Sequence, residues 1–149
     1  MSATADHAEE RTNPAAQLGF RPGQVVQELG WDEDVEQGLR EGIEALTGQP
    51  LVDEDYDDVA DAVVLWFRED DGDLTDALVD ATTLIDPGAP VWLLTPKTGR
   101  DGHVEPGEVD EAARTAGLAQ TKTINAGGDW AGSRLVTPKT TAGKTGGRR

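Results

Sequence analysis

The order of apolar segments predicts an α/β protein of three layers, with a mostly parallel sheet that closes in a C-terminal antiparallel hairpin. Three observations carry this expectation. Ala62-Val63-Val64-Leu65-Trp66-Phe67 and Val91-Trp92-Leu93-Leu94 are apolar at every position, as strands covered on both faces are. Segments with helical spacing follow each of them. Two strand-like stretches near the end flank the turn-rich AGGDWAG. Strands that alternate with helices pair in parallel through crossovers, and a short turn folds two strands back on each other.

Each element has its own local reason. Residues 24–30 (QVVQELG) read as a short strand after the Arg21-Pro22-Gly23 turn. Asp32 is an expected N-cap for a helix to about Leu46, with Val35, Leu39, Ile43 and Leu46 on one side and Gly48 as the stop. Leu51 and Val52 suggest a brief strand before the acid-rich link 53–58. Asp73 is expected to cap a second helix bearing Leu74, Ala77, Leu78, Ala81, Leu84 and Ile85, which Asp86-Pro87-Gly88 ends. A loop over 95–104 follows the strand at 91–94. The third helix begins at Pro106, suited to a first turn, and runs through Val109, Ala112, Ala113 and Ala116 to Gly117. Strands at 121–125 and 133–137 complete the chain. Trp66 and Trp92, inside apolar strands, are expected in the core.

The chain has 149 residues, the size of one domain, and a domain near this length buries ~70% of its unfolded surface. No internal repeat is visible. Residues 18–138 carry the patterning and are expected to form a single domain. Residues 1–17 are polar and unpatterned, and 139–149 (KTTAGKTGGRR) lacks large apolar residues, so both ends are expected to be disordered.

Acids outnumber bases by 29 to 13, for a net charge of -16. The imbalance is local: 18 acids lie between Asp32 and Asp80, against only Arg40 and Arg68, while the rest is balanced. This disfavours nucleic acid as a partner, and five bases from Arg134 onward are too few to reverse it. The absence of cysteine excludes disulfides, thiolate metal sites and cysteine nucleophiles. No apolar run approaches the ~20 residues needed to cross a bilayer, and the first twenty residues show no secretory pattern, so a cytoplasmic protein without membrane association is expected.

Sharper motifs fail on position. A calcium loop starting at Asp53 would place Asp58 where glycine is required and Val64 where the bidentate glutamate belongs. A loop around residues 68–73 would begin on Phe67. Ala142-Gly143-Lys144-Thr145 mimics the end of a P-loop, but Pro138 stands where its first glycine should be. The only serines are Ser2 and Ser133 and the only histidines His7 and His103, with no strand–turn–helix elbow for a nucleophile. No catalytic residue, metal or cofactor is expected.

The segments YDDVADAVVLWF, LVDATTLIDPGAPVWLLTPK and VDEAARTAGL with the closing hairpin resemble the second half of the Rossmann-like methyltransferase fold. The whole chain, from Leu18-Gly19-Phe20 to TPKTGRDGHVEP, resembles an actinobacterial family of small acidic proteins known only as a domain of unknown function. The first resemblance implies a truncated Rossmann-like domain, short by about one strand–helix unit. S-adenosylmethionine enzymes of that fold place a glycine-rich turn after their first strand. Here Glu28-Leu29-Gly30 begins like that turn, but Trp31, Asp32, Glu33 and Asp34 follow. The indole is expected to close the turn. The three carboxylates, expected at a helix start, would satisfy its dipole and repel a cofactor carboxylate or phosphate.

In open α/β sheets, ligands sit beyond the carboxyl ends of the strands. Those ends place Trp31, Arg68 and the stretch Thr95 to His103 together. Lys97, Arg100, Arg68 and His103 are therefore expected to form a basic island that takes a small anionic ligand or an acidic partner segment, with Thr95 at its edge. Trp130, at the expected hairpin tip, offers an anchor for a protein contact. The leading expectation is a non-catalytic binding or regulatory module acting through these loops. The alternative is a small-molecule or nucleotide-binding protein, or a degenerate methyltransferase-like enzyme.

Overall fold

The computed structural model describes Asn13 and residues 15–138, and the expectations for residues 1–12 and 139–149 lie outside it. The two all-apolar runs form the middle of one sheet. Strands β2 (Ala62–Trp66) and β3 (Val91–Pro96) are buried at every position. Strand β1 (Val26–Leu29) lies beside β2, and the hairpin of β4 (Ala119–Asn125) and β5 (Trp130–Val136) joins at β3, giving the order β1-β2-β3-β5-β4.

β1 pairs with β2, and β2 with β3, in parallel, with Val26 opposite Ala62 and Val63 opposite Val91. β5 is antiparallel to both β3 and β4. The sheet is thus evenly mixed in its pairings rather than mostly parallel, because the hairpin inserts its second strand between β3 and β4.

Helices cover both faces. Helix α1 (Gln37–Thr47) buries Leu39 and Ile43 against Val64, Trp66, Trp92 and Leu94. Helices α2 (Leu74–Thr82) and α3 (Pro106–Thr115) bury Leu78, Val109 and Ala113 against Val63, Leu65, Val91 and Leu93 on the other face. Alternate strand residues thereby serve two separate cores, and cutting Leu39 or Leu78 back to alanine costs ~2–5 kcal/mol. Asp73 caps α2 as expected, its carboxylate accepting from the Asp76 N–H at 3.2 Å. Pro106 opens α3, and Gly48 ends α1 with φ 77°.

Four expectations need correction. Asp32 does not cap α1, which starts five residues later, at Gln37. The Asp34 carbonyl accepts from the Trp130 indole N–H at 3.0 Å and its carboxylate pairs with Arg68, which holds residues 31–36 as a loop. Leu51 and Val52 form no strand beyond a single bridge from Val52 to Gln27. Ordered structure begins before Leu18: Ala15 is fully buried, and the Asn13 amide donates to the Gly42 carbonyl at 3.2 Å. β3 runs on through Thr95 and Pro96, paired with Ala131 and Trp130, so Thr95 lies in the sheet and Trp130 is not at a tip. Among the described residues no helix is long and apolar enough to cross a membrane.

Candidate binding site at the strand ends

The parallel strands β1, β2 and β3 end at one border of the sheet, where the chain leaves through Gly30, Phe67 and Lys97. Gly30 has φ 77°, and a Cβ there would lie 2.2 Å from the Trp66 carbonyl oxygen. The turn after β1 therefore rests directly on the backbone of β2, and only glycine fits.

Arg68 closes this turn. Its guanidinium donates to the Gly30 carbonyl at 2.9 Å, to the Asp34 carboxylate at 3.0 Å through Nε, and to Asp71 at 3.1 Å. It also lies over the Trp130 ring, 5.2 Å from the centroid, and Trp130 meets Trp66 edge-to-face at 4.9 Å. These bonds hold the Asp34 carboxyl below the usual carboxylate range, chiefly through its hydrogen bond with Arg68. The same bond raises the Arg68 guanidinium, which stays charged. Trp31 was expected to close the turn but is 53% exposed, since Arg68 already fills the space. The carboxylates of residues 32–34 lie in a loop, not at a helix start, and one of them serves Arg68.

Two polar residues of β1 carry structure that the sequence did not single out. Glu28 is buried, accepts from Arg40 at 2.6 and 2.9 Å, and accepts from the Trp66 indole N–H at 2.9 Å. Gln27, also buried, donates to the carbonyls of Asp53 and Tyr56 and so ties the acid-rich link over the sheet. The available signal was the break in β1 alternation at Gln27-Glu28, together with Arg40 as one of two bases in an acidic stretch.

The expected site residues divide between two cavities. One, of about 590 Å³, has Leu29, Leu65 and Phe67 as its floor and Trp31 and Arg68 on its rim, with Asp32, Glu54 and Asp80 around them. The other, of about 440 Å³, takes in Thr95, Lys97 and His103. Arg100 belongs to neither and pairs with Asp129 at 2.8 Å, both well exposed. Trp130 is 3% exposed and serves the core, so it offers no surface anchor.

The arginines of the expected basic island are paired with neighbouring acids. Arg68 is held by Asp34 and Asp71, Arg100 by Asp129, and His103 Nε2 lies 3.5 Å from Glu105. Lys97 alone of the four makes no ion pair among the described residues.

A mixed sheet with helices on both faces and a closing antiparallel hairpin defines a Rossmann-like domain of methyltransferase type. The fold is similar to that of the O-methyltransferase NcsB1 from neocarzinostatin biosynthesis, solved with S-adenosyl-L-homocysteine and 1,4-dihydroxy-2-naphthoic acid (TM-score 0.63, 14% identity, 92% of this chain and 56% of that one). It is also similar to the pyocyanin biosynthetic protein PhzM (TM-score 0.62, 11% identity, 89% of this chain and 61% of that one). A methyltransferase from Aquifex aeolicus matches over 87% of this chain and 92% of its own (TM-score 0.53, 15% identity). This chain therefore spans little more than half of the first two, and at such identities the likeness concerns the fold alone.

The chain belongs to the family described as Protein of unknown function (DUF3052), whose pattern matches residues 15–139. Uncharacterised proteins of Mycobacterium tuberculosis and Mycobacterium bovis are each 50% identical to it over 140 residues, covering 94% of this chain and 86% of theirs.

Proposed function

We propose that this protein is a non-catalytic binding module that engages a protein partner through its strand-end loops. One observation carries the reading: the turn after β1 is filled by the protein's own Arg68, bonded to Gly30 and Asp34. A cofactor approaching this turn meets a spent guanidinium and the carboxylates of Asp32 and Glu54, not the free backbone N–H groups that hold anions at helix starts. The groove left open beside it has an apolar floor, an exposed tryptophan at its mouth and a rim of acids. Exposed tryptophan is the residue type most enriched at binding hot spots. The partner that complements this surface is a basic segment bearing an apolar anchor, the opposite charge from the one the sequence suggested.

The test pairs calorimetry with affinity capture from native cell extract. S-adenosylmethionine should give no binding heat, and a captured partner should be lost on Trp31→Ala and weakened by salt, as electrostatic association is. Micromolar S-adenosylmethionine affinity overturns the reading, as does a partner that Trp31→Ala retains at wild-type level. A second reading, a small-molecule-binding protein, is favoured by the cavity beside Thr95.

A further inference from the structure

The cavity of about 440 Å³ lies under α3, where β3, β5 and β4 run side by side, and its volume falls among small-molecule sites, roughly 300–1,000 Å³. Unlike the strand-end turn, which Arg68 fills, it is lined by several hydroxyl-bearing side chains. Thr95 is only 8% exposed and lines this cavity from β3. Ser133 lines the same cavity from β5, two register positions along from Thr95 and so on the same face, since it stands opposite Leu93 while Thr95 stands opposite Ala131. Thr123 of β4 is the direct neighbour of Ser133. Hydroxyl-bearing side chains from three adjacent strands thus share one face, where they can donate to a ligand's oxygen atoms.

The remaining lining sets the charge and the shape. Lys97 leaves β3 with its backbone N–H fixed on the Asp129 carbonyl at 2.9 Å, and its ammonium is the unpaired cation of the loop. His103 Nδ1 is 2.9 Å from the Pro96 carbonyl, which can only accept, so Nδ1 bears the hydrogen and the ring is fixed beside the mouth. Glu105 stands by its other nitrogen. Val104 and Val109 supply an apolar wall.

We infer that this cavity binds a small monocarboxylate with an apolar body, its carboxylate held by Lys97 and the hydroxyls of Thr95 and Ser133 and its body against Val104 and Val109. A single ammonium balances a single negative charge. A phosphate dianion would bring a second charge next to Glu105 with nothing to neutralise it, so the site discriminates against phosphate. No residue of the Trp31 groove takes part, and the inference stands independently of the protein-partner reading.

The full chain, labelled with ¹⁵N, is titrated with benzoate, hexanoate and inorganic phosphate to about 10 mM, enough to detect millimolar affinity. The two carboxylates should give saturable shifts confined to residues around 95–104 and 131–133, and phosphate should not. Lys97→Met and Thr95→Val should each weaken carboxylate binding tenfold or more, Lys97→Arg should retain it, and Trp31→Ala should leave it unchanged. Thr95 is buried, so a Thr95→Val protein with a lowered melt is set aside and the exposed-charge pair Lys97→Met and Lys97→Arg decides. Absence of saturation with either carboxylate, equal affinity in Lys97→Met, or phosphate binding of equal strength overturns the assignment.

Discussion

Replacing Arg40 by methionine removes the ionic partner of Glu28, the one carboxylate among the described residues that is buried. Glu28 is 6% exposed, and Arg40 reaches it with two hydrogen bonds, which raise the guanidinium's own pKa. Stranding a buried charge by removing its partner costs ~3–5 kcal/mol. Two features reduce that figure here. Arg40 is 20% exposed, so water screens part of the pair, and Glu28 keeps the indole N–H of Trp66. The expected loss is therefore about 2–3 kcal/mol, which at a urea dependence of ~1–3 kcal/mol/M lowers the unfolding midpoint by roughly 0.7–3 M. Urea melts of Arg40→Met, Glu28→Gln and the double variant measure it, and the double variant should lose less than the sum of the singles. A loss under ~0.5 kcal/mol, or strict additivity, would mean that the pair behaves like one in open solvent and that the burial argument is wrong.

Gly30→Ala should cost more than ~2 kcal/mol or abolish soluble expression, since it combines positive φ with a methyl group on the Trp66 carbonyl; a wild-type melt would show that the turn can move. Asp34 has a depressed folded pKa, so its contribution is present above the unfolded value near ~3.9 and is lost as pH falls through the folded one. Because Asp34 is over half exposed, Asp34→Asn should remove under ~1 kcal/mol and flatten the acid limb of the melting profile only slightly. Sodium chloride should raise the melting temperature, since a Debye length of ~3 Å at 1 M suppresses repulsion among the acids of residues 32–80; a melt lowered by salt would mean that these acids are mostly paired.

The elements that the sequence disclosed best are those whose residues answer to one demand. The apolar runs at 62–67 and 91–94 have no role but burial, and Asp73 and Pro106 act within a single helical turn, so local chemistry was enough. Residues 31–36 were misread because Asp32 suits an N-cap locally, while Arg68 and Trp130, far away in the chain, claim Asp34 instead. Non-local pairing also reduced the basic island: neighbours in sequence gave Lys97, Arg100 and His103 one location, but nothing local showed that Asp129 would arrive at Arg100. Trp130 was misplaced because β5 starts at that residue, three positions before its expected start. The mixed pairing of the sheet was also out of reach, since strand order depends on where the hairpin docks.

The borders of the sheet bear on how copies of this protein meet. An unpaired outer strand is a template on which another chain can add itself. At β1 the link after α1 occupies that template: the Glu28 N–H donates to the Val52 carbonyl at 2.8 Å, and the Val52 N–H to the Val26 carbonyl at 3.1 Å. Asp61 takes the Val25 N–H just before the strand, and Glu54 the Gly30 N–H just after it. At the far border, β4 carries an irregular register between Gln120 and Lys122 and sets a charged lysine in its middle, both of which spoil a second strand's fit. The acid-rich link is thus more than a connector: it plugs one rim of the sheet, while the irregular register and Lys122 make the other a poor template for a second copy.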